Sequence, residues 1–340
     1  YKRQSLICAR VVSHDRRRPL TPSLWVQRLR SALELRERLY RRPFYRLVFG
    51  ESDGLPGLVV DRYGDLLSVQ ITTAGMDRAR AEILTALEQV LRPQTIILRN
   101  DTQVRELEGL TLEVETVLGE APDQLELTEN DTRFLVSPLS GQKTGWFYDQ
   151  AENRARLARF GVPNRVLDVC SYVGAWGVQA AVAGAEEVVC VDSSPAALEQ
   201  VGENADRNGV VARISGLQGD AFDVLRVLRE QEERFDLVIL DPPAFIKRRK
   251  DEKEGAQAYQ RLNRLGLELL ENGGLLVSSS GSYHMGRDAF LRIVQQAARR
   301  AGRSLQLLEV GGQGPDHPVH PAIPETAYLK TFVLRALPEL

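Results

Sequence analysis

Short, almost unbroken apolar runs alternate with stretches of helical period between residues 165 and 245, and each run closes on an acidic residue. In order they are Arg165-Val-Leu-Asp-Val-Cys-Ser-Tyr-Val-Gly-Ala-Trp-Gly177, Val188-Val-Cys-Val-Asp192, Gly219-Asp-Ala-Phe222 and Val238-Ile-Leu-Asp-Pro-Pro-Ala-Phe245. Strands buried on both faces read this way, because helices cover both sides of a parallel sheet. The pattern predicts an α/β protein with a Rossmann-like, doubly wound sheet and an acidic group at the carboxyl end of successive strands. Open sheets of this kind bind ligands at that edge.

Upstream the pattern is different. Ser5 to Val12 reads as a strand and His14 to Pro22 as a basic, Pro-punctuated linker. Leu24, Trp25, Leu29, Leu33 and Leu39 recur near helical spacing and predict a helix over 23–41. Strands are expected at 46–50, from Leu58 into a turn at Asp65, at 66–72 and at 95–99, with a helix over 76–91. Together they describe a small α+β domain ending near residue 120. Ala151 to Phe160 predicts a helix leading into the sheet. The last helix is expected over about 286–302, and strands near 304–310 and 327–335 are expected to pair as an antiparallel hairpin. The expected division is 1–15, a linker helix over 16–45, a central domain over 46–122 and the sheet domain over 123–340.

Composition adds one asymmetry. The 340 residues carry a formal charge of −2, yet residues 1–46 hold thirteen Lys/Arg against three Asp/Glu. A basic front end suits a polyanionic partner such as nucleic acid, and it equally suits a solvated helix face. No apolar run is long enough to span a membrane, and no signal peptide is recognisable. Cys8, Cys170 and Cys190 lack metal-type spacing, which fits a reducing cytoplasm better than a disulfide framework. The chain begins without Met on a strand-like segment, and is expected to start partway into a domain.

The turn after the first run decides between ligands. A dinucleotide fold needs Gly-x-Gly-x-x-Gly for close approach to a pyrophosphate. Here Tyr172 takes the first glycine position and Trp176 opens the helix, so two aromatics crowd that place, and no P-loop Gly-Lys-Ser/Thr is present. S-adenosylmethionine (SAM) has no phosphate. It needs a turn beside its amino-acid moiety, supplied by Asp168, Ser171, Tyr172 and Gly174, and a carboxylate for its ribose. Asp192, 24 positions after Asp168 and followed by Ser193, fits the ribose hydroxyls. Asp220 suits the adenine amine, with Ala221 or Phe222 against the ring. Any one of these Asp residues alone is more often a strand-end turn or helix cap; their order selects a SAM pocket.

Asp241-Pro-Pro-Ala-Phe245 closes the fourth run. Pro242 and Pro243 stiffen the loop, which suits presentation of a carboxylate and carbonyls to a flat base, with Phe245 for stacking. A bare Pro-Pro elsewhere is usually only a turn. Lys247-Arg248-Arg249-Lys250 follows and suits phosphate contacts, or a solvated loop, since Asp251, Glu252 and Glu254 come next. His284 and His317 could touch substrate, although a lone loop histidine is more often structural. His317-Pro-Val-His320 lacks the partners of a metal site.

On these segments the chain resembles the class I SAM-dependent methyltransferases, and more closely the bacterial enzymes that make 5-methylcytosine in 23S rRNA. The resemblance rests also on Gly50-Glu-Ser-Asp-Gly-Leu-Pro-Gly-Leu-Val-Val-Asp-Arg-Tyr-Gly64, Lys143-Thr-Gly-Trp-Phe-Tyr-Asp-Gln150 with Asn153 and Arg154, and Asp316-His-Pro318. It implies SAM as cofactor and an RNA partner (23S rRNA or a ribosomal precursor); the lack of a long apolar run leads to the expectation of no membrane partner. The resemblance also implies that residues 1–13 close a PUA RNA-binding domain and that Lys143, Thr144, Tyr148 and Gln150 border the cofactor; their bland reading is a solvated turn. It leaves open whether the chain acts alone or as a homodimer.

One departure changes the chemistry. Relatives read Thr-Cys-Ser-Cys-Ser after the fifth strand, the second Cys being the expected nucleophile; here Ser278-Ser-Ser-Gly-Ser-Tyr-His284 puts Gly281 there. Cytosine C5 is a poor nucleophile until a thiolate adds to C6. None of the three cysteines fits that role: Cys8 and Cys190 fall in strands, and Cys170 at the cofactor turn is better explained by packing. Direct methyl transfer to a base nitrogen is therefore set beside cytosine C5 methylation with an unrecognised nucleophile, a SAM-binding assembly factor without transferase activity, and methylation of a small molecule.

Overall fold

The computed structural model describes residues 7, 9–13, 15 and 20–338, which fall into two compact units. The first gathers residues up to 128 with 136–149 and 314–326, and the second gathers 129–135, 150–313 and 327–340. The chain thus passes between units several times, where the sequence reading separates the central domain (46–122) from the sheet domain (123–340) at one boundary. Of the strand expected at the amino terminus, Ile7 and residues 9–12 lie in no strand, while Ser5, Leu6 and Cys8 are outside the described residues.

In the first unit α1 (Pro22–Leu39) starts on a proline at its first turn, where no N–H is needed, and buries Leu24, Trp25, Leu29 and Ala32. It is followed by β1 (Phe44–Phe49), β2 (Leu58–Tyr63), β3 (Leu66–Ile71), α2 (Ala74–Arg78), α3 (Arg80–Leu91), β4 (Thr95–Asn100), α4 (Val104–Leu107) and β5 (Glu113–Leu118). The helix expected over 76–91 is two helices, interrupted at Ala79, whose φ of −90° and ψ of 8° leave the helical well. The five strands lie in sequence order, antiparallel except for β3 beside β4.

The Gly50–Gly64 segment explains itself inside this unit. Asp53 takes the Arg36 guanidinium through both oxygens (2.6 and 2.9 Å) and Asp61 takes that of Arg46 (2.8 and 2.8 Å). Arg36 also donates to the Asp316 carbonyl at 2.6 Å, and Asp316 accepts the Arg46 N–H at 2.9 Å. These buried charges are paired and hydrogen-bonded, as burial demands.

Two strands, β6 (Leu125–Glu129) and β7 (Thr132–Val136), precede the second unit's α5 (Ala151–Arg156) and β8 (Arg165–Val169). Then come α6 (Ala175–Val182), β9 (Glu187–Asp192), α7 (Pro195–Arg207), β10 (Ile214–Gln218), α8 (Ala221–Glu230), β11 (Phe235–Leu240) and α9 (Glu252–Glu268). The chain ends with β12 (Leu270–Ser280), α10 (Arg287–Arg300), β13 (Arg303–Gly311) and β14 (Lys330–Pro338). The seven strands run in the order β10-β9-β8-β11-β12-β14-β13, with the first five parallel and β14 antiparallel to both its neighbours. Strand order reverses between β8 and β11, and the crevice outside their carboxyl ends is where such sheets hold ligands. Leu167, Val169, Val191, Val238, Leu240 and Leu276 form the buried core beneath that edge. Among the described residues no helix is long and apolar enough to cross a membrane.

Candidate active site

Backbone geometry builds the first wall. Between β8 and α6, Cys170 (φ 63°), Tyr172 (φ 50°) and Gly174 (φ 82°) all take the left-handed conformation. For the two non-glycine residues this costs on the order of 1 kcal/mol each, and it concentrates strain at the crevice. The turn is held by Ser171 N–H to the Val191 carbonyl (3.0 Å) and by Tyr172 N–H to Asp192 Oδ2 (2.9 Å). Helix α6 then packs tightly: a Cβ on Gly177 would come within 2.7 Å of Cys190 Sγ. That approach lets the Gly177 N–H reach Asp168 Oδ2 at 2.9 Å.

Asp168 is completely buried, and its Oδ1 has no hydrogen-bond partner among the described residues. Burial pushes its pKa up to about 7 against the Gly177 N–H, which favours the charged form; the negative charges of Asp241 and Asp192 push the same way as burial. A buried carboxylate with an unused oxygen is suited to a cationic donor, and the ammonium of SAM is one. Asp192 accepts one N–H on each oxygen, from Tyr172 and from Ser194 (2.9 Å each), and each oxygen keeps a lone pair for a ribose hydroxyl. Ser193 beside it is exposed. Asp220 caps α8 through Oδ1 alone, accepting from Phe222 (2.9 Å) and Asp223 (3.3 Å), which leaves Oδ2 for another donor. Ala221 and Phe222 are half-buried at the start of that helix. This set fits SAM.

Asp241 stands at the end of β11. Its Oδ1 accepts Gln150 Nε2 at 2.8 Å and its Oδ2 accepts Trp176 Nε1 at 3.0 Å. Asn153 Nδ2 donates to Gln150 Oε1 at 2.6 Å, which turns the Gln150 amide nitrogen toward Asp241. Trp176, read from sequence as a bulk that crowds a phosphate, is a hydrogen-bond donor that aims the loop carboxylate. Pro242 is buried and Pro243 exposed. The Phe245 ring is packed against Tyr259 (4.7 Å) and Phe222 (6.2 Å), with Arg261 over the Phe222 ring at 4.7 Å. Phe245 thus joins the loop to the wall beside Asp220.

The far wall is the serine run at the end of β12. Ser278 donates to Asn263 (2.6 Å), and Ser279 pairs with Thr331 (2.9 Å). Ser282 Oγ accepts the Ile246 N–H at 3.1 Å and lies 2.9 Å from the Tyr259 hydroxyl. Lys330 reaches the Ser282 carbonyl at 2.6 Å. Sequence reading missed Gln150 as a partner of Asp241, and missed Tyr259, Ser282 and Lys330 altogether; no local pattern marks them.

Other expected residues have different surroundings. Lys143, Thr144 and Tyr148 belong to the first unit, where Lys143 pairs with Asp149 (2.8 Å), the Thr144 hydroxyl bonds Asp61, and the Tyr148 hydroxyl donates to the Arg62 carbonyl (2.9 Å). His317 is buried there against Asp316 (2.8 Å) and the Phe49 ring, while His284 in the second unit is exposed. Lys247, Arg248, Arg249 and Lys250 are all exposed, with Arg248 3.1 Å from Asp251.

Residues 106–335 match the family described as S-adenosylmethionine-dependent methyltransferases. A protein of Erwinia tasmaniensis named ribosomal RNA large subunit methyltransferase I is 38% identical over 338 residues, covering 98% of this chain and 85% of that one. The chain belongs to this methyltransferase family. A protein of the same name from Aeromonas salmonicida is 39% identical over 337 residues, again covering 98% of this chain and 85% of that one. Among solved structures, a Streptococcus mutans protein described as a SAM-dependent methyltransferase superposes with a TM-score of 0.83 at 23% identity, over 96% of this chain and 84% of that one. A methyltransferase complexed with S-adenosylhomocysteine (SAH) gives 0.82 at 23% identity, over 94% and 82%. The fold is the Rossmann-like methyltransferase fold, and the enzyme's cofactor is SAM.

Proposed function

We propose that this methyltransferase acts on a base of large-subunit (23S) rRNA and transfers the methyl directly to a ring nitrogen beside the Asp241-Pro-Pro loop. The names of the relatives support the RNA. The observation that carries the mechanism is the state of the thiols. Cys170 is half-buried with its pKa pushed up to about 12, first by burial and then by the charges of Asp192, Asp241, Asp168 and Asp220. Cys190 is buried in β9 and is raised by burial as well. Neither offers a thiolate. Gly281 stands where the resemblance places the nucleophile, and a Cβ there would meet no atom within 4 Å, so the position is open but carries no nucleophile.

Bound SAM supplies a methyl group already activated on a positively charged sulfur. A ring nitrogen with an in-plane lone pair attacks it without covalent help, so positioning and exclusion of water carry the catalysis. In this reading Asp168 holds the ammonium, Ser171, Tyr172 and Gly174 line the amino-acid moiety, and Asp192 with Ser193 takes the ribose. Asp220 takes the adenine amine, with Ala221 and Phe222 against the ring. Asp241 and the carbonyl of Pro242 or Ala244 orient the acceptor base, and Lys247 to Lys250 contact phosphates.

RNA substituted with 5-fluorocytosine separates the two chemistries, because a nucleophile added to C6 stays trapped on that base. The wild-type enzyme with SAM is expected to give no covalent complex on a denaturing gel. A stable adduct would overturn direct transfer. SAH binding without methyl incorporation into any RNA would favour an assembly factor instead.

A further inference from the structure

We propose that Tyr283, stacked on Tyr328 and fastened by Lys330, is a platform on which an unpaired nucleobase of the substrate stacks beside the acceptor loop. Its occupant follows from the RNA reading above. Tyr283 is 60% exposed, and every other described Phe, Tyr or Trp side chain is buried or half-buried. The ring lies 5.1 Å from that of Tyr328 at an interplanar angle of 24°, and Tyr328 itself is only 8% exposed. One face of Tyr283 therefore backs onto a packed ring while much of the side chain stays in water.

The mounting is rigid. Lys330, 5% exposed, donates to the Ser282 carbonyl at 2.6 Å and to the Tyr328 carbonyl at 2.7 Å. One ammonium thus fixes both backbone segments that carry the stacked rings. Burial lowers its pKa to about 8, with no carboxylate beside it among the described residues, a cost that a surface turn has no need to bear. Ser282 Oγ, bonded to the Ile246 N–H, ties the same turn to the loop that presents Asp241. The platform and the acceptor loop are thereby one mechanical piece.

The surroundings suit nucleic acid. Arg287, four residues on, has its side chain 66% exposed, and Lys247 and Arg248 are exposed on the linked loop. Extruding a target base leaves its neighbours unstacked, and an aromatic ring is the usual way to hold such a base without reading its identity.

The test uses the whole chain, a short fluorescein-labelled single-stranded RNA read by anisotropy, and SAH titrated by calorimetry. Tyr283→Ala is expected to weaken RNA binding at least about fivefold, the lower end of one stacking interaction. SAH affinity should stay unchanged, and Tyr283→Trp should restore RNA binding. Lys330→Met, acting only through the rings it positions, is expected to give a similar loss that adds little to Tyr283→Ala in the double variant. RNA affinity within about twofold of wild type in Tyr283→Ala, failure of the tryptophan to restore it, or a parallel loss of SAH affinity would each overturn the platform. If the wild type binds SAH but neither this RNA nor 23S rRNA, the RNA reading itself falls and the platform with it.

Discussion

Asp241→Ala is expected to lower kcat for methyl incorporation into large-subunit rRNA by roughly 10³-fold, while SAH affinity stays within about threefold. The carboxylate is held by the amide of Gln150 at 2.8 Å and the indole of Trp176 at 3.0 Å. Two donors from two elements fix its plane at the carboxyl end of β11, where it is held for the acceptor base. Removing it deprives the base of its orienting group while Asp168, Asp192 and Asp220 keep their hydrogen bonds, and losing the Asp241 charge only eases ionisation of Asp168. Trp176→Phe, which keeps a ring but loses the N–H, should fall between the two, about tenfold below wild type. Steady-state kinetics beside SAH calorimetry check both. An Asp241→Ala enzyme within about tenfold of wild type would remove Asp241 from the acceptor site.

SAH binding is expected to strengthen as pH rises toward about 7 and to level off above it, because Asp168 titrates there. Its pKa is raised from an ordinary 3.8, so the free protein is favoured by the protonated acid. That stability is complete below about pH 4 and is lost as pH rises through the folded value. An ammonium ligand binds the ionised form, so below pH 7 affinity should fall by up to about tenfold per unit. Asp168→Asn should flatten this dependence, raise the thermal midpoint of the free protein at pH 8 by several degrees, and weaken SAH there. Calorimetry and thermal unfolding between pH 5.5 and 8.5 provide the check. An unchanged pH dependence in Asp168→Asn would place the proton elsewhere.

Both predictions depend on features of unequal legibility. Strands β8, β9 and β11 are readable because burial on both faces forces continuous apolar runs such as Val166-Leu167 and Val238-Ile239-Leu240. β5 is not: as an edge strand it carries Glu113 and Glu115 and leaves Val114 exposed, and only Val117 and Leu118 at its end pack on the core. The break at Ala79 has no glycine or proline to announce it. The carboxylates Asp168, Asp192, Asp220 and Asp241 are legible from strand ends, and a cap such as Asp220 does both jobs at once. Their partners are long-range: Gln150 lies 91 positions and Trp176 65 positions from Asp241. A tryptophan in a turn signals bulk, while its N–H direction exists only once α6 is packed. Tyr283 carries no mark in sequence, since its distinction is exposure.

The most direct measurement incubates unmodified 23S rRNA with the enzyme and isotopically labelled SAM, then identifies the labelled nucleoside by mass spectrometry. Direct transfer predicts a base methylated on a ring nitrogen. Label in 5-methylcytosine would contradict it and require a nucleophile that neither Cys170 nor Cys190 provides.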